Sequence, residues 1–432
     1  MMKRKNTIKI IPTILLFFYI YEFNFEVFGL STAITSRRVS ILLFALLLVC
    51  RAFVKNNGKL SVPKMNGCVA KCVRNHFVMQ IAMLVYGSLV IFMIGAGKGD
   101  SIVIDIVQYL LFSMFPILLF YSYYDSLDSF MQAILWVTIA QTVIIIICLT
   151  SSDFAYMLDH TFATGETLEY ITSHREGYAG GLACITAPGA FKYSLGLVAC
   201  VYFVLKKKKM WYLITFFTFS VVITMISRTG LFISAVGFVV ILWGTWQERN
   251  NSSLFKVTLS TVIIVIVAFG LFYLFDLRAF FDSRLQRLFK LFEDGFKAEF
   301  FDYYFSGESI GNVYVEINSE TFWGIGITSG TSGNGVTVNV DGGFLRLIAA
   351  LGVPMAVLLY LSFASNLFRL QRNTQGNLQK YTMLFFLVIL LMAEFKEYTI
   401  YAQYMPCILF ASYALGKKRI IHTKGETAGA EL

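Results

Sequence analysis

Four arginines and one aspartate, Arg175, Arg228, Arg284, Arg287 and Asp341, lie in polar breaks between long apolar runs. An arginine in such a place offers a permanent charge and a planar fork that grips phosphate oxygens two at a time. An aspartate offers a base. Arg228 sits in Ile226-Ser227-Arg228-Thr229-Gly230, between two short spans. A snorkelling helix end accounts for it. A functional cation also does, since ionisable groups at a membrane boundary are functional candidates. Arg175 lies in His174-Arg175-Glu176-Gly177, followed by Gly180-Gly181 and Pro188. It reads either as a solvated loop charge or as a functional group carried by a loop.

Arg284 and Arg287 belong to an amphipathic pattern over 279–293. Phe281, Leu285, Leu288 and Phe292 form the apolar stripe, and Arg284, Arg287 and Lys290 lie on other faces. The helix serves as an interfacial anchor touching lipid phosphates, or its cations hold a phosphorylated substrate. Asp341 precedes Gly342-Gly343 and an apolar run from Phe344. It fits the N-cap of the following helix and equally a carboxylate base at the membrane surface. Gly324, Gly326, Gly330, Gly333 and Gly335 predict a flexible loop, and no GxxxxGK[ST] phosphate loop occurs. Cys68, Cys72 and His76 would share one helix face, but no fourth ligand is evident. Neither a metal nor another cofactor is expected.

The elements that position these residues are membrane helices. Of the 432 residues, 57% are hydrophobic and 14% charged, with mean hydropathy +0.68. Soluble domains run about 45–50% apolar and about 25% charged. Apolar runs fall at 8–29, 39–55, 76–96, 102–123, 129–149, 187–205, 210–226, 229–247, 255–276, 343–368, 380–396 and 399–416. Each approaches the ~20 residues that cross a bilayer as a helix. No period-two strands argue for a barrel. The expected fold is all-α: one integral membrane domain over 1–432 with about twelve helices. Two long loops, 150–186 and 277–341, interrupt it, the second between helices 9 and 10 and carrying short amphipathic helices. The start resembles a signal peptide, with a faint small-residue site at Leu30–Ala33, but the many later spans favour an uncleaved first helix. Five Cys lie in or beside apolar runs and read as packing residues.

The net charge of +10 is concentrated in a few inter-helix loops, which orients a membrane protein and is no nucleic-acid footprint. The basic groups are Lys3–Lys5, the 51–75 loop, Lys206–Lys209, Arg369–Lys380 and Lys417–Arg419. All share one side if the helices alternate. The positive-inside rule makes that side cytoplasmic, with both termini there and both long loops outside. Arg37 and Arg38 fall on the outer side, against the trend.

The order of these motifs resembles the bacterial Wzy-type polysaccharide polymerases, in the superfamily of the O-antigen ligases. An outer-loop Arg followed by Gly and Pro comes first, then the Ser-Arg-Thr-Gly turn, then a long loop with Gly-x-Gly. Last comes Asp-Gly-Gly-Phe-Leu-Arg-Leu-x-x-x-Leu-Gly, opening the next helix. The resemblance covers about 175–360; before that only hydropathy matches. It implies an oligosaccharide repeat unit on undecaprenyl diphosphate, polymerised at the outer face of the inner membrane. It further implies Arg175 and Arg228 as the family's outer arginines, and a chain-length regulator and a flippase as partners. Where ligases of the superfamily tend to have His, this chain has Asp341; no His occurs over 277–341. That departure favours polymerase over ligase. A flippase or other transporter is the rival from another class. It is disfavoured because no internal repeat is visible and the charges gather at the boundary.

The topology is checked by cysteine labelling. Gly333→Cys should react with an impermeant reagent added outside intact cells. Labelling only after the membrane is opened to the cytoplasmic side would refute it.

Overall fold

A computed structural model describes residues 10–23, 34–55, 65–95, 97–162, 186–227, 229–247, 319–338, 340, 342–374, 376–396, 398, 400 and 404–428. The chain is an all-α polytopic membrane protein. Seven described helices are long and apolar enough to cross a membrane: Gly67–Ile94, Ile102–Tyr123, Leu127–Thr150, Ala187–Lys207, Thr229–Gln247, Gly343–Arg372 and Asn377–Lys396. Ile10–Ile20 and Met210–Ile226 are shorter apolar helices. Each expected run contains a described helix except 255–276, which lies outside the described residues; in run 8–29 that helix is Ile10–Ile20 and in run 399–416 it starts at Met405. The chain clusters into two compact units. One comprises Met1–Ser40, Met131–Glu299 and Gly376–Ile389; the other comprises Ile41–Phe130, Phe300–Gln375 and Leu390–Leu432.

In the first unit, helix Thr186–Lys207 packs against Met210–Ile226 and Thr229–Gln247. Small residues set the approach, because lipid supplies no hydrophobic push between helices. A Cβ on Gly196 would sit 2.3 Å from Thr138 Cγ2, and one on Gly244 would sit 2.6 Å from Leu205 Cδ2. Part of the 150–186 segment is not loop but helix, Ser152–Phe162. Its Ala155 and Leu158 pack with Phe23 and Cys148.

In the second unit, helix Gly67–Ile94 starts well before the apolar run at 76. Asn66 Oδ1 accepts from the Cys68 N–H at 3.1 Å and caps it. Cys68, Cys72 and His76 therefore do lie on one helix. His76 is buried, 2.9 Å from the Tyr109 hydroxyl and against Phe363 and Phe410. Among the described residues, no three potential ligands gather as a metal site would need. Helix Ile102–Tyr109 continues through a π-turn, Leu110–Met114, into Phe115–Tyr123. Pro116 lacks an N–H, and the wider turn absorbs the missing bond. Lys418 Nζ donates to the Tyr121 and Tyr124 carbonyls at 2.5 and 2.9 Å, closing that helix's C-terminal end.

The glycine-rich stretch expected to be flexible is, in its described part, built into this unit. Ile327–Thr331 pairs antiparallel with Lys98–Ser101 and with Thr337–Val338, giving a three-stranded sheet that the hydropathy pattern did not announce. Just before it, the backbone crosses helix Gly343–Arg372 at a break. Gly352 is non-helical there, with φ 75° and ψ 163°, and Pro354 follows. The break strips carbonyls of their usual donors, which in a membrane costs several kcal/mol per group. Ile325 N–H donates to Ala349 O at 2.8 Å and Gly326 N–H to Ala350 O at 3.0 Å. Gly326 O accepts from Ile102 N–H at 3.1 Å, and Tyr86 donates its hydroxyl proton to Trp323 O at 2.6 Å.

Only glycine fits this crossing. A Cβ on Gly352 would meet Phe322 O and Trp323 C at 2.4 Å, and one on Gly324 would meet Ala350 O at 2.6 Å. Gly335 also has positive φ, at 87°, but open space around it. Gly335→Ala should therefore cost about 1 kcal/mol in strain alone. Gly352→Ala adds a backbone clash and should cost about 3 kcal/mol or more. Thermal unfolding of the detergent-solubilised chain compares them; equal, small losses would contradict the crossing.

Candidate functional site

Arg175, Arg228, Arg284, Arg287 and Asp341 all lie outside the described residues. Their neighbours are informative in two places. Helices Met210–Ile226 and Thr229–Gln247 meet in a tight turn, with Ser227 N–H on Ile223 O at 3.0 Å and Gly230 N–H on Ser227 O at 2.8 Å. The Ser-Arg-Thr-Gly segment thus joins two helix ends, as the sequence implied. Helix Gly343–Arg372 takes Gly342 as its N-cap residue, with no side-chain cap hydrogen bond. A Cβ on Gly342 would lie 2.9 Å from Phe395 O, so close packing against a helix end explains the glycine.

The described polar groups at this end of the second unit centre on Asp105. It lies in the first turn of helix Ile102–Tyr109, where the helix dipole favours a negative charge. Thr328 Oγ1, on the strand after the crossing, donates to Asp105 Oδ2 at 2.9 Å and lies 3.2 Å from Asp100 O. Asp100 Oδ2 accepts from Ser329 Oγ at 2.7 Å. A register irregularity between Asp100 and Ser101 shifts the strand just before the helix begins. The Tyr398 hydroxyl and the Arg346 guanidinium lie within electrostatic reach of Asp105. Arg346 Nε donates to Val340 O at 2.7 Å. That bond fixes the plane of the guanidinium.

The two oxygens of Glu394 accept from Tyr360 Oη and Ile400 N–H, both at 2.7 Å. It ties the chain that carries Tyr398 to two helices and is a structural clamp. Glu397 lies outside the described residues.

A carboxylate held by hydroxyls beside an oriented guanidinium can accept a proton and bind an anion in one place. Asp105 was legible in the sequence only as a carboxylate near a helix end. Thr328, Tyr398 and Arg346 were not singled out at all. Arg346 stands inside the Asp-Gly-Gly-Phe-Leu-Arg-Leu motif, and that was the available signal.

The first unit carries its own charge cluster. Glu22 Oε2 and Arg37 Nη2 are 2.6 Å apart.

No family model, no curated protein and no solved structure matches this chain.

Proposed function

We propose that this chain is a Wzy-type polysaccharide polymerase. It would join oligosaccharide units carried on undecaprenyl diphosphate at the outer face of the bacterial inner membrane, with both termini cytoplasmic. The observation that best supports this reading is that two of the four motifs carrying the resemblance meet in space. Gly324-Ile325-Gly326 crosses the helix opened by Gly343-Phe344-Leu345-Arg346-Leu347 at that motif's closing glycine, Gly352. The crossing leads the chain directly to Thr328, beside Asp105 and within reach of Arg346.

The chemistry asks for these groups. The bond between the donor's anomeric carbon and the diphosphate oxygen breaks, leaving undecaprenyl diphosphate. The acceptor hydroxyl forms the new bond to that carbon and gives up its proton. Positive charge develops at the anomeric carbon and negative charge on the leaving group. Fixed cations near the diphosphate stabilise the transition state more than the bound substrate. Arg175, Arg228, Arg284 and Arg287 are the sequence candidates for that role, and Arg346 joins them. Asp341 takes the acceptor proton, with Asp105 the second carboxylate able to do so. A chain-length regulator and a flippase are the expected protein partners.

A transporter reading draws on the broken helix, since transporters bind ions at unwound carbonyls. Here Ala349 O and Ala350 O are already taken by Ile325 and Gly326, which weakens it. An O-antigen ligase shares the donor chemistry and differs in the acceptor.

The test is the polysaccharide ladder at matched protein level. Arg228→Ala and Asp341→Asn should accumulate normally but lose the ladder, with single-unit lipid-linked substrate building up. Arg228→Lys should be poor, because it keeps the charge and loses the fork. Loss of a base should cost about 10²–10⁴ in rate. A ladder kept by Asp341→Asn and lost by Asp105→Asn would move the base to Asp105. Normal ladders from Arg228→Ala and both aspartate variants would overturn the reading.

A further inference from the structure

Beyond Asp105, the interior of the second unit holds a row of polar side chains that the polymerase chemistry does not use. His76 and Gln80 are 0% exposed, and Tyr109, Asn366 and Tyr413 are also buried. His76 Nε2 lies 2.9 Å from the Tyr109 hydroxyl and 3.5 Å from the Gln80 amide nitrogen. The Tyr413 hydroxyl donates to Gln371 Oε1 at 2.8 Å. Along helix Gly67–Ile94, Gly87 faces Ile102 and Leu351, while His76 faces Tyr109 and Phe363. The helix therefore runs antiparallel to Ile102–Tyr109 and to Gly343–Arg372, and the polar groups fall in an order of depth. Asp105 comes first, one turn before Tyr109 on the same helix face. His76 and Gln80 come next. The rings of Phe363 and Phe410 stand 5.4 and 5.2 Å from the His76 ring. Asn366 lies one turn after Phe363, and Tyr413 one turn after Phe410, each on the face its ring defines. They continue the row past His76, toward Gln371 and the basic last turn at Arg369 and Arg372.

Hydrogen bonds that hold helices together account for part of this row. They explain Tyr109 on His76 and Tyr413 on Gln371. They do not explain His76 Nδ1, Gln80 Oε1 and Asn366 Nδ2, which are buried and have no hydrogen-bond partner among the described residues. A buried polar group left unpaired costs about 1–3 kcal/mol, more than the roughly 0.5–1.5 kcal/mol that a made hydrogen bond returns. Apolar residues would serve stability better at all three positions. Polar groups kept inside a membrane against that cost point to function. Two donors and an acceptor along one row suit a ligand that both donates and accepts, which is water. An imidazole adds one property: it takes up a proton at one ring nitrogen and releases one from the other. The titratable groups around it are Tyr109, Tyr413 and Cys72, the last one turn before it on its own helix. The charged groups stand at the two ends of the row, Asp105 at one and Arg369 with Arg372 at the other. The π-turn Leu110–Met114 begins directly after Tyr109, and such turns often mark functional sites.

We propose that this row is a proton path through the second unit, with His76 as its central relay and water held at His76 Nδ1, Gln80 Oε1 and Asn366 Nδ2 as its remaining links. A proton from the Asp105 end enters the Tyr109 hydroxyl, which passes its own proton to His76 Nε2. His76 Nδ1 releases its proton to the water beside Asn366, and that water passes one on toward Tyr413. The imidazole ends as the other neutral tautomer, so no charge stays behind, and a turn of the ring resets it. The path works in either direction and stands whether or not the chain polymerises sugars.

The full chain is reconstituted into phosphatidylcholine liposomes loaded with a pH-sensitive dye. Valinomycin and a potassium gradient set the voltage that drives protons inward. The lumen should acidify faster than in protein-free liposomes, and more slowly in heavy water. His76→Phe should return the flux to the protein-free rate. Its ring suits Phe363 and Phe410, so the variant should keep its melting temperature. Asn366→Leu should slow the flux several-fold without lowering the melting temperature, because it removes an unpaired polar group. Tyr109→Phe should slow it too, and with Asn366→Leu it decides the matter if His76→Phe does not fold. Wild-type flux equal to that of protein-free liposomes overturns the proposal, as does flux unchanged in folded His76→Phe, Asn366→Leu and Tyr109→Phe. An Asn366→Leu variant that melts lower and conducts normally assigns Asn366 a structural bond and also overturns it. The assay contains no sugar lipid, so its failure and the loss of a polysaccharide ladder are read separately.

Discussion

The second unit depends on two carbonyls. Where helix Gly343–Arg372 breaks at Gly352 and Pro354, Ala349 O and Ala350 O need donors, and the bilayer offers none. Ile325 and Gly326 supply them. Because those N–H groups belong to a segment remote in sequence, the break becomes a fixed joint between that segment and the helix. The rest follows from the joint. Gly326 O receives the first N–H of helix Ile102–Tyr109, the strand Ile327–Thr331 starts at once, and Thr328 arrives at Asp105. Glycine is needed at 324 and 352 because two backbones touch there.

Hydropathy made the membrane helices legible, since span length and apolar content are local properties. Boundaries were less so. Helix Gly67–Ile94 begins in residues too polar for an apolar run, because a cap at Asn66 and the continuing hydrogen-bond ladder decide where a helix starts. The glycines at 324, 326 and 330 read as flexibility from composition. The structure uses their positive φ and missing side chains for close contact instead.

The Asp105 constellation could not be read from spacing. Its hydroxyl partner Thr328 is 223 residues away, and Arg346 comes from a third element. No periodicity links them; only the crossing does.

The polymerase assignment is tested most directly by reconstitution. The purified chain, alone in liposomes, is given a defined oligosaccharide on undecaprenyl diphosphate, and the products are separated by length. The assignment predicts a ladder spaced by one repeat unit, with free undecaprenyl diphosphate released in step and no nucleotide or metal required. Unit-by-unit movement of intact lipid-linked oligosaccharide across the bilayer, with no ladder and no diphosphate released, would contradict it.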